Sequence, residues 1–258
     1  MNDYGVKGHN LPAAYHNALR RLHDCGEISD CADWDTTQKE ISLTMEVTNP
    51  LAEPMISKCF IGGPYELQQY MMEMLDGILD FEINMGNWTY TYHDRMVRYP
   101  GYDGYMIDQI SFVINELRRN PSSRRAVIMI RDKADIGSDD PACLQHIQYF
   151  IRNNKLQCYV LFRSNDACKA TFMNAFALIM LQKRIADELG VEVGSYVHRA
   201  NSFHCYEKDF DLLDGYVKRI ENNNLEDITY EYEDEWKEDM DAAVEDILAK
   251  VEELKTHG

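Results

Sequence analysis

The sequence predicts an α+β fold in which a mixed β-sheet is packed with helices. Segments with helical spacing and segments with strand-like alternation follow one another without the strict strand–helix repeat of an α/β chain. The chain has 258 residues, of which 45% are hydrophobic, so it can bury a sizeable core. No repeat, low-complexity linker or break in composition divides it, and we therefore expect one domain over residues 1–258.

Helices are predicted where apolar residues recur at intervals of three and four along the chain. Five segments show this pattern: residues 11–25, 64–79, 108–119, 172–189 and 239–254. Pro64 suits a first helical turn. The Asn120-Pro121 pair is a stop signal for the third helix, and Gly190 is a C-terminal cap for the fourth.

Strands are predicted where polar and apolar residues alternate, or where a short apolar run stands between turn residues. Six segments qualify: residues 40–47, 126–130, 144–152, 156–162, 191–198 and 202–206. Asn153-Asn154-Lys155 predicts a hairpin turn between two of them. The polar residues 28–35 are predicted to form a turn, and the aromatic residues 88–98 to be β-like.

The charge pattern narrows the range of partners. The formal net charge is −18, and residues 221–258 alone carry 14 acidic and 3 basic side chains. We interpret this acidic C-terminal segment as a solvated face. Strong acidity disfavours duplex nucleic acid as a partner, although a few well-placed arginines still bind a small anion.

The sequence also indicates a reducing, aqueous compartment. No apolar run approaches the ~20 residues that a bilayer crossing requires. The N-terminus lacks the basic and apolar segments of a signal peptide. The seven cysteines are scattered and include no CxxC pair, which favours free thiols over a disulfide framework or zinc site. We therefore expect a cytoplasmic protein with no membrane partner and no metal.

Three residue types suggest chemistry on a small polar ring. Cys143 follows a Pro141-containing turn and is a candidate nucleophile, whose thiol (pKa about 8.5) requires activation by a nearby cation. Arg163 suits that role, and its guanidinium also matches phosphate oxygens. The amide of Asn174 both donates and accepts, which suits the edge of a polar heterocycle.

The order and spacing of these residues resemble the active-site core of thymidylate synthases and the related pyrimidine nucleotide hydroxymethylases. The resemblance is to compact archaeal or phage-like members and covers residues 90–209. Six motifs in register carry it: Tyr92-His93-Asp94-Arg95-Met96, Ile107–Ile110 with Asn120–Arg125, Pro141-Ala142-Cys143, Arg163-Ser164-Asn165-Asp166, Asn174, and His204-Cys205-Tyr206.

The resemblance implies transfer of a one-carbon unit to C5 of a pyrimidine nucleoside monophosphate, most simply dUMP to dTMP, after Cys143 adds to C6. The donor would be 5,10-methylenetetrahydrofolate or methylene-tetrahydromethanopterin. Tyr92 and Arg163 would be catalytic with Cys143, and Asp166 would contact the pterin. The nucleotide would be bound by Arg124, Arg125, Ser164, Asn174, His204 and Tyr206.

The resemblance further implies a homodimer formed through the sheet, with Arg124 and Arg125 reaching into the partner's site. A catalytic glutamate is also expected in the helix after the first strands. Glu66 is our choice, with Glu73 and Glu82 as rivals. Its role would be proton handling at the pyrimidine O4 through water.

Departures from the family pattern leave the product open. The usual Pro-Cys-His becomes Ala142-Cys143-Leu144, the N-terminal phosphate arginine has no clear counterpart, and the end of the chain is polar where an apolar tail is usual. Because water exclusion favours reduction over hydration, the alternative product is a 5-hydroxymethyl derivative of dUMP, or of dCMP or CMP. Asn174 favours uracil, because the resemblance implies an aspartate at this position in the relatives that act on cytosine. An inactive nucleotide- or RNA-binding paralogue is a further alternative, disfavoured because Cys143, Arg163 and Asn174 occur together.

Overall fold

The structure is a computed structural model, and it describes residues 1–257. The helices are α1 (Leu11–Cys25), α2 (Pro64–Asp76), α3 (Phe81–Asn84), α4 (Tyr92–Val97), α5 (Gln109–Arg119), α6 (Thr171–Leu189), α7 (Phe210–Asn222) and α8 (Lys237–His257). The strands are β1 (Asp3–Gly8), β2 (Glu27–Cys31), β3 (Thr36–Val47), β4 (Ile56–Ser57), β5 (Tyr99–Pro100), β6 (Met106–Ile107), β7 (Val127–Met129), β8 (Leu144–Arg152), β9 (Lys155–Asp166), β10 (Glu192–Tyr206) and β11 (Thr229–Tyr230).

A seven-stranded mixed sheet organises the fold. Its order is β1-β3-β10-β9-β8-β7, and β2 pairs with β3 beside this path. The pairs β1–β3 and β10–β9 are parallel, and the others are antiparallel. The longest strand, β10, therefore lies between β3 and β9 although it is the last of the seven along the chain. This confirms the predicted α+β class with a mixed sheet.

The helices cover one face of this sheet. Buried side chains alternate along the central strands, as Cys158, Val160 and Phe162 show on β9, and this alternation places them on one face. Helix α1 packs against β1 and β3, and α6 packs against β9 and β10. Between those buried positions stand half-exposed side chains, so the second face of the sheet remains open.

Most predicted elements are confirmed, some to the residue. Helix α1 and strand β8 have the predicted bounds, and Asn153 and Asn154 turn the β8–β9 hairpin with φ of 52° and 58°. Both residues adopt the left-handed backbone conformation, as the tightest hairpin turns require. Gly77, with φ of 65°, ends α2 three residues earlier than predicted, since glycine takes this conformation without a steric cost.

Three local predictions were wrong. Glu27–Cys31 is a strand instead of a turn, because β3 begins at Thr36 and its first residues pair with this segment in an antiparallel ladder. The aromatic residues 88–98 contain helix α4 instead of a strand, because the Thr91 side chain accepts from Asp94 N and starts a helix. Finally, residues 191–198 and 202–206 belong to the single strand β10, whose register shifts between Ala200 and Phe203.

The acidic C-terminal segment forms the outer layer of the molecule. Helix α8 packs on α2 through Met72, Ala243 and Ile247, while its acidic residues point to solvent. This confirms the prediction of a solvated face. Gly258, the last residue of the predicted domain, lies outside the described residues. Among the helices of residues 1–257, none combines the length and apolar character that a lipid bilayer crossing demands.

Candidate active site

A cleft of about 1030 Å³ opens at one edge of the sheet. Most of the predicted site residues line it: Tyr92, Cys143, Arg163, Ser164, Asp166, Asn174, His204 and Tyr206. Sheet topology explains the convergence. Strands β9 and β10 run parallel, so their carboxyl ends meet, and Ser202 and His204 stand in register with Ser164 and Asp166. Strand β8 is antiparallel to β9 and therefore begins at this same edge.

Cys143 and Arg163 form one hydrogen-bonded unit at the floor of the cleft. The backbone N–H of Arg163 donates to Cys143 O at 2.8 Å. Its guanidinium donates to Ala142 O at 3.2 Å and to Pro141 O at 2.7 Å, which holds the turn that presents the thiol. Burial raises the pKa of the Cys143 thiol, and the Arg163 guanidinium opposes this shift. The expected cation is therefore in place, although burial outweighs it.

The amide of Asn174 lies on the wall where α6 begins. Asn174 is only 4% exposed, and the hydroxyl of Tyr70 on α2 donates a hydrogen bond to its Oδ1. Burial raises the pKa of Tyr70 far above the ordinary value for tyrosine, so the hydroxyl stays protonated. Tyr92 lies nearby, and its hydroxyl accepts from Leu144 N at 3.4 Å.

His204 is a buried, neutral group with an unused ring nitrogen. Burial lowers the pKa of His204, and its Nδ1 lies 3.4 Å from Ser164 Oγ. Among the described residues, no partner reaches its buried Nε2. The Tyr206 ring stands edge-on to the imidazole at a centroid distance of 4.8 Å. A hydroxyl of a ligand would satisfy the orphaned nitrogen.

Five acidic residues line the cleft, and two of them, Glu40 and Asp166, stand in different settings. Glu40 on β3 accepts from Ser202 Oγ at 2.7 Å and from Ser29 Oγ at 2.8 Å. Burial acts to raise the pKa of Glu40, but these hydrogen bonds outweigh it and leave the pKa below its ordinary value. Asp166 Oδ1 accepts from the backbone N–H groups of Cys168 and Lys169, both at 2.9 Å, and so shapes the turn into α6.

A second cavity of about 480 Å³ adjoins the cleft and shares Tyr70, Tyr92 and Asp140 with it. Trp88 and Tyr90 give it aromatic walls, and Glu73 contributes a carboxyl. Burial raises the pKa of Glu73, and a hydrogen bond from Gln69 at 2.8 Å opposes that shift. This cavity therefore offers flat apolar surfaces and one carboxyl that protonates more readily than a free one.

Glu66, our sequence-based choice for the catalytic glutamate, lines neither cavity. It is exposed in the first turn of α2, where its Oε2 accepts from Gly63 N at 2.9 Å and caps the helix. Glu82 also lies outside, bonded to Asn87 Nδ2 at 2.6 Å. Of the three glutamates, Glu73 alone lines a cavity. Helix rotation turns this first-turn residue toward solvent.

Arg124 and Arg125 are exposed and lie outside the cleft of their own chain. Arg125 pairs with Glu116 at 3.1 Å. The cleft residues that sequence reasoning missed include Tyr70 and Glu40. Helical spacing was the available signal for Tyr70, because it shares the inward face of α2 with Leu67 and Met74. Within residues 1–257, no cluster of histidine, cysteine and acidic side chains is arranged to hold a metal ion.

The cleft therefore brings together a cysteine, an arginine, a buried amide and an imidazole with an unpartnered ring nitrogen. The family model for thymidylate synthase matches residues 63–257. A provisionally assigned thymidylate synthase of Methanocaldococcus jannaschii is 35% identical over 219 residues, which span 82% of this chain and 95% of that protein. A provisionally assigned thymidylate synthase of Methanosarcina barkeri is 30% identical, with coverage of 83% and 95%.

A solved structure, thermostable thymidylate synthase A from Bacillus subtilis, matches with a TM-score of 0.65 at 18% identity, covering 81% of this chain and 84% of that one. At that identity, the match shows the fold. The chain belongs to the thymidylate synthase family, as its motifs indicated. Enzymes of this family act in nucleotide biosynthesis and transfer a one-carbon unit to C5 of a pyrimidine nucleotide from a methylenetetrahydrofolate-type folate.

Proposed function

We propose that the chain, acting as a single catalytic domain over residues 1–258, methylates dUMP at C5 to give dTMP. The single observation that carries this proposal is the convergence of Cys143, Arg163, Asn174 and His204 on one cleft. Each of the four offers a different function that the reaction needs: a nucleophile, a phosphate anchor, a reader of the base and a partner for the sugar.

Cys143 supplies the chemistry that makes C5 reactive. Carbon 5 of uracil is a poor nucleophile. Bond formation between the Cys143 thiolate and C6 moves the electron pair of the 5,6 double bond toward C5 and O4, which gives an enolate. The Asn174 amide nitrogen donates to O4 and stabilises the charge that develops there. Arg163 lowers the energy of the thiolate before attack, and it places the nucleotide phosphate together with Ser164.

The sugar and the pyrimidine ring are held by separate groups. His204 Nε2 and the Tyr206 hydroxyl bind the 3′-hydroxyl of deoxyribose, which gives the orphaned ring nitrogen its partner. The Asn174 amide faces the ring edge. Binding a ribonucleotide would add a 2′-hydroxyl beside this pair, so deoxyribose is the simpler occupant.

The second cavity fits the folate. Its aromatic walls, Trp88 and Tyr90, suit a flat heterocycle, and Tyr92 stands between this cavity and Cys143. Asp166, on the wall of the adjoining cleft, is the proposed contact to the pterin. Glu73 takes over the proton-handling role that the sequence assigned to Glu66. The bound 5,10-methylenetetrahydrofolate, or methylene-tetrahydromethanopterin, supplies the one-carbon unit and the reducing equivalent.

The open face of the sheet supports the homodimer. Phe150 and Tyr159 pack edge to face at 5.6 Å on this face, and Tyr159 remains 41% exposed. Leu161 and Val197 continue the apolar surface. A second copy would cover it, and the exposed Arg124 and Arg125 would then be available to the partner's phosphate site. The free thiols of all seven cysteines fit a reducing cytoplasm.

One observation favours 5-hydroxymethylation as a second candidate. Helix α8 packs on the outer side of α2 and contributes no residue to either cavity among residues 1–257. A cleft that stays open to water favours hydration over reduction. The same alternative applies to dCMP or CMP, which differ from dUMP at the ring edge that faces Asn174.

Product analysis tests the proposal. The purified protein is incubated with dUMP and each of the two pterin donors, the nucleotide is analysed by mass spectrometry, and the dihydro form of the supplied donor is followed by absorbance. A gain of CH2 with formation of that dihydropterin is the expected result. A gain of CH2O without it would instead establish the hydroxymethylase. Turnover of dCMP but not dUMP would overturn the assignment of uracil.

A further inference from the structure

Tyr70 stands between the two cavities and contacts the group that faces the base. It lines both the cleft and the second cavity, and its hydroxyl donates to Asn174 Oδ1. Helix α2 packs directly against α6, so this contact joins the two helices across the wall of the cleft. Neither Glu66 nor Glu82 approaches Asn174, and Glu73 faces the second cavity.

We propose that Tyr70 is a positioning residue that fixes the orientation of the Asn174 amide and thereby makes the site prefer uracil over cytosine nucleotides. This inference rests on the proposed function, since it assigns Asn174 to the ring edge.

The orientation of the amide decides which base fits. With Oδ1 held by Tyr70, the Nδ2 amino group of Asn174 is the end left to face ring position 4. Among the described residues, none accepts a hydrogen bond from Nδ2, so it is available to a ligand. Uracil presents the acceptor O4 at position 4, whereas cytosine presents an amino group. A donor would therefore face a donor when cytosine binds.

Tyr70 also makes the opposite orientation costly. If the amide turned by 180°, its Nδ2 group could donate to the Tyr70 oxygen, but the phenolic proton would then need a new acceptor. Within residues 1–257, Asn174 Oδ1 is the acceptor within reach of that hydroxyl. A half-buried hydroxyl that loses its protein acceptor is less favourable, and this favours the observed orientation. Burial keeps the proton on Tyr70, because it raises the pKa of that hydroxyl.

The test is the selectivity of Tyr70→Phe, which keeps the ring that packs between the helices and removes the hydroxyl. Dissociation constants for dUMP and dCMP are measured by calorimetry, and kcat/KM is measured for both nucleotides. We expect the preference for dUMP to fall about tenfold, which corresponds to roughly 1.4 kcal/mol, the size of one hydrogen bond. Tyr65→Phe removes a hydroxyl from the same helix outside the cleft and should leave the preference unchanged.

A double-mutant cycle shows whether Tyr70 acts through Asn174. In an Asn174→Ala background, Tyr70→Phe should change the preference no further, because the group it orients is gone. A merely structural role would instead lower the affinity for both nucleotides equally in both backgrounds.

The outcomes separate the inference from the function on which it rests. If wild-type protein prefers dUMP and Tyr70→Phe retains that preference in full, the inference is wrong and the proposed function stands. If wild-type protein binds neither nucleotide, both fall. Because the ratio of dissociation constants requires no turnover, it decides the question even if the purified protein is inactive with the pterin supplied.

Discussion

The cleft has two walls that differ in how they are built. The sheet wall comes from the ends of β9 and β10 and from Cys143, whose positions are fixed by backbone hydrogen bonds between neighbouring strands. The helical wall comes from Tyr70 of α2, Tyr92 of α4 and Asn174 of α6, whose side chains depend on how each helix is rotated and packed. The comparison teaches that backbone pairing fixes which strand residues reach the cleft, whereas a helix residue such as Tyr70 reaches it through helix rotation and packing, which spacing along the chain does not specify.

The largest expected effect concerns the sheet wall. Cys143→Ser should lower kcat by about 10³-fold or more, because the serine hydroxyl is a far weaker nucleophile than a thiolate. Cys158→Ser is the matched control: it changes a fully buried cysteine of β9 that lines neither cavity. Steady-state kinetics with dUMP measures both variants. Comparable activity of Cys143→Ser and wild type would show that Cys143 is not the nucleophile.

The next effect tests the link between Arg163 and the thiol. Arg163→Gln should lower kcat/KM by about 100-fold, since it removes two charge-assisted contacts and the phosphate anchor. The pKa of Cys143 should rise further, because the opposing positive charge is lost while burial remains.

The pH dependence of alkylation checks this shift independently of catalysis. Iodoacetamide labelling of the Cys143 peptide, followed by mass spectrometry, should reach its midpoint at a higher pH in Arg163→Gln than in wild type. An unchanged midpoint would show that the guanidinium acts on the phosphate and not on the thiol.

A smaller effect on kcat is expected from the glutamates of helix α2. Glu73→Gln should lower kcat about tenfold, because the carboxyl in the second cavity can no longer exchange a proton. Glu66→Gln should leave kcat within about twofold of wild type, since an exposed residue in the first turn contributes to capping only. Parallel kinetics on the two variants decides between them. A larger loss in Glu66→Gln would restore the assignment made from sequence.

The smallest effect concerns the β8–β9 hairpin, which lies at the opposite end of these strands from the cleft. Asn154→Ala should lower the free energy of unfolding by about 1 kcal/mol, because alanine tolerates a φ of 58° less well than asparagine. Asn154→Gly, which has no such penalty, should stay within about 0.5 kcal/mol of wild type. Urea denaturation measures both. Equal losses would mean that the side chain of Asn154 matters and its backbone conformation does not.

Much of the sheet wall was accessible from sequence because strand pairing converts sequence order into position. Arg163 and His204 lie on strands whose alternation was recognisable, and parallel pairing brings their ends together. Tyr70 was missed because its importance depends on a contact with Asn174, more than 100 residues away along the chain. The helix at residues 92–97 was missed because aromatic residues favour strands, whereas a side-chain cap at Thr91 decided the local structure.

The central place of β10 has a consequence for how the protein is made. The ribosome releases β1, β3, β8 and β9 before β10 emerges. In the finished sheet, β3 and β9 do not pair with each other, because each pairs with β10, which lies between them. Until the chain has been released to about residue 206, its strands can form only two separate parts of the sheet. Cys143 then still lacks His204, which completes the cleft. Because the final insertion joins distant segments, we expect slow folding in which core and cleft form in the same cooperative step.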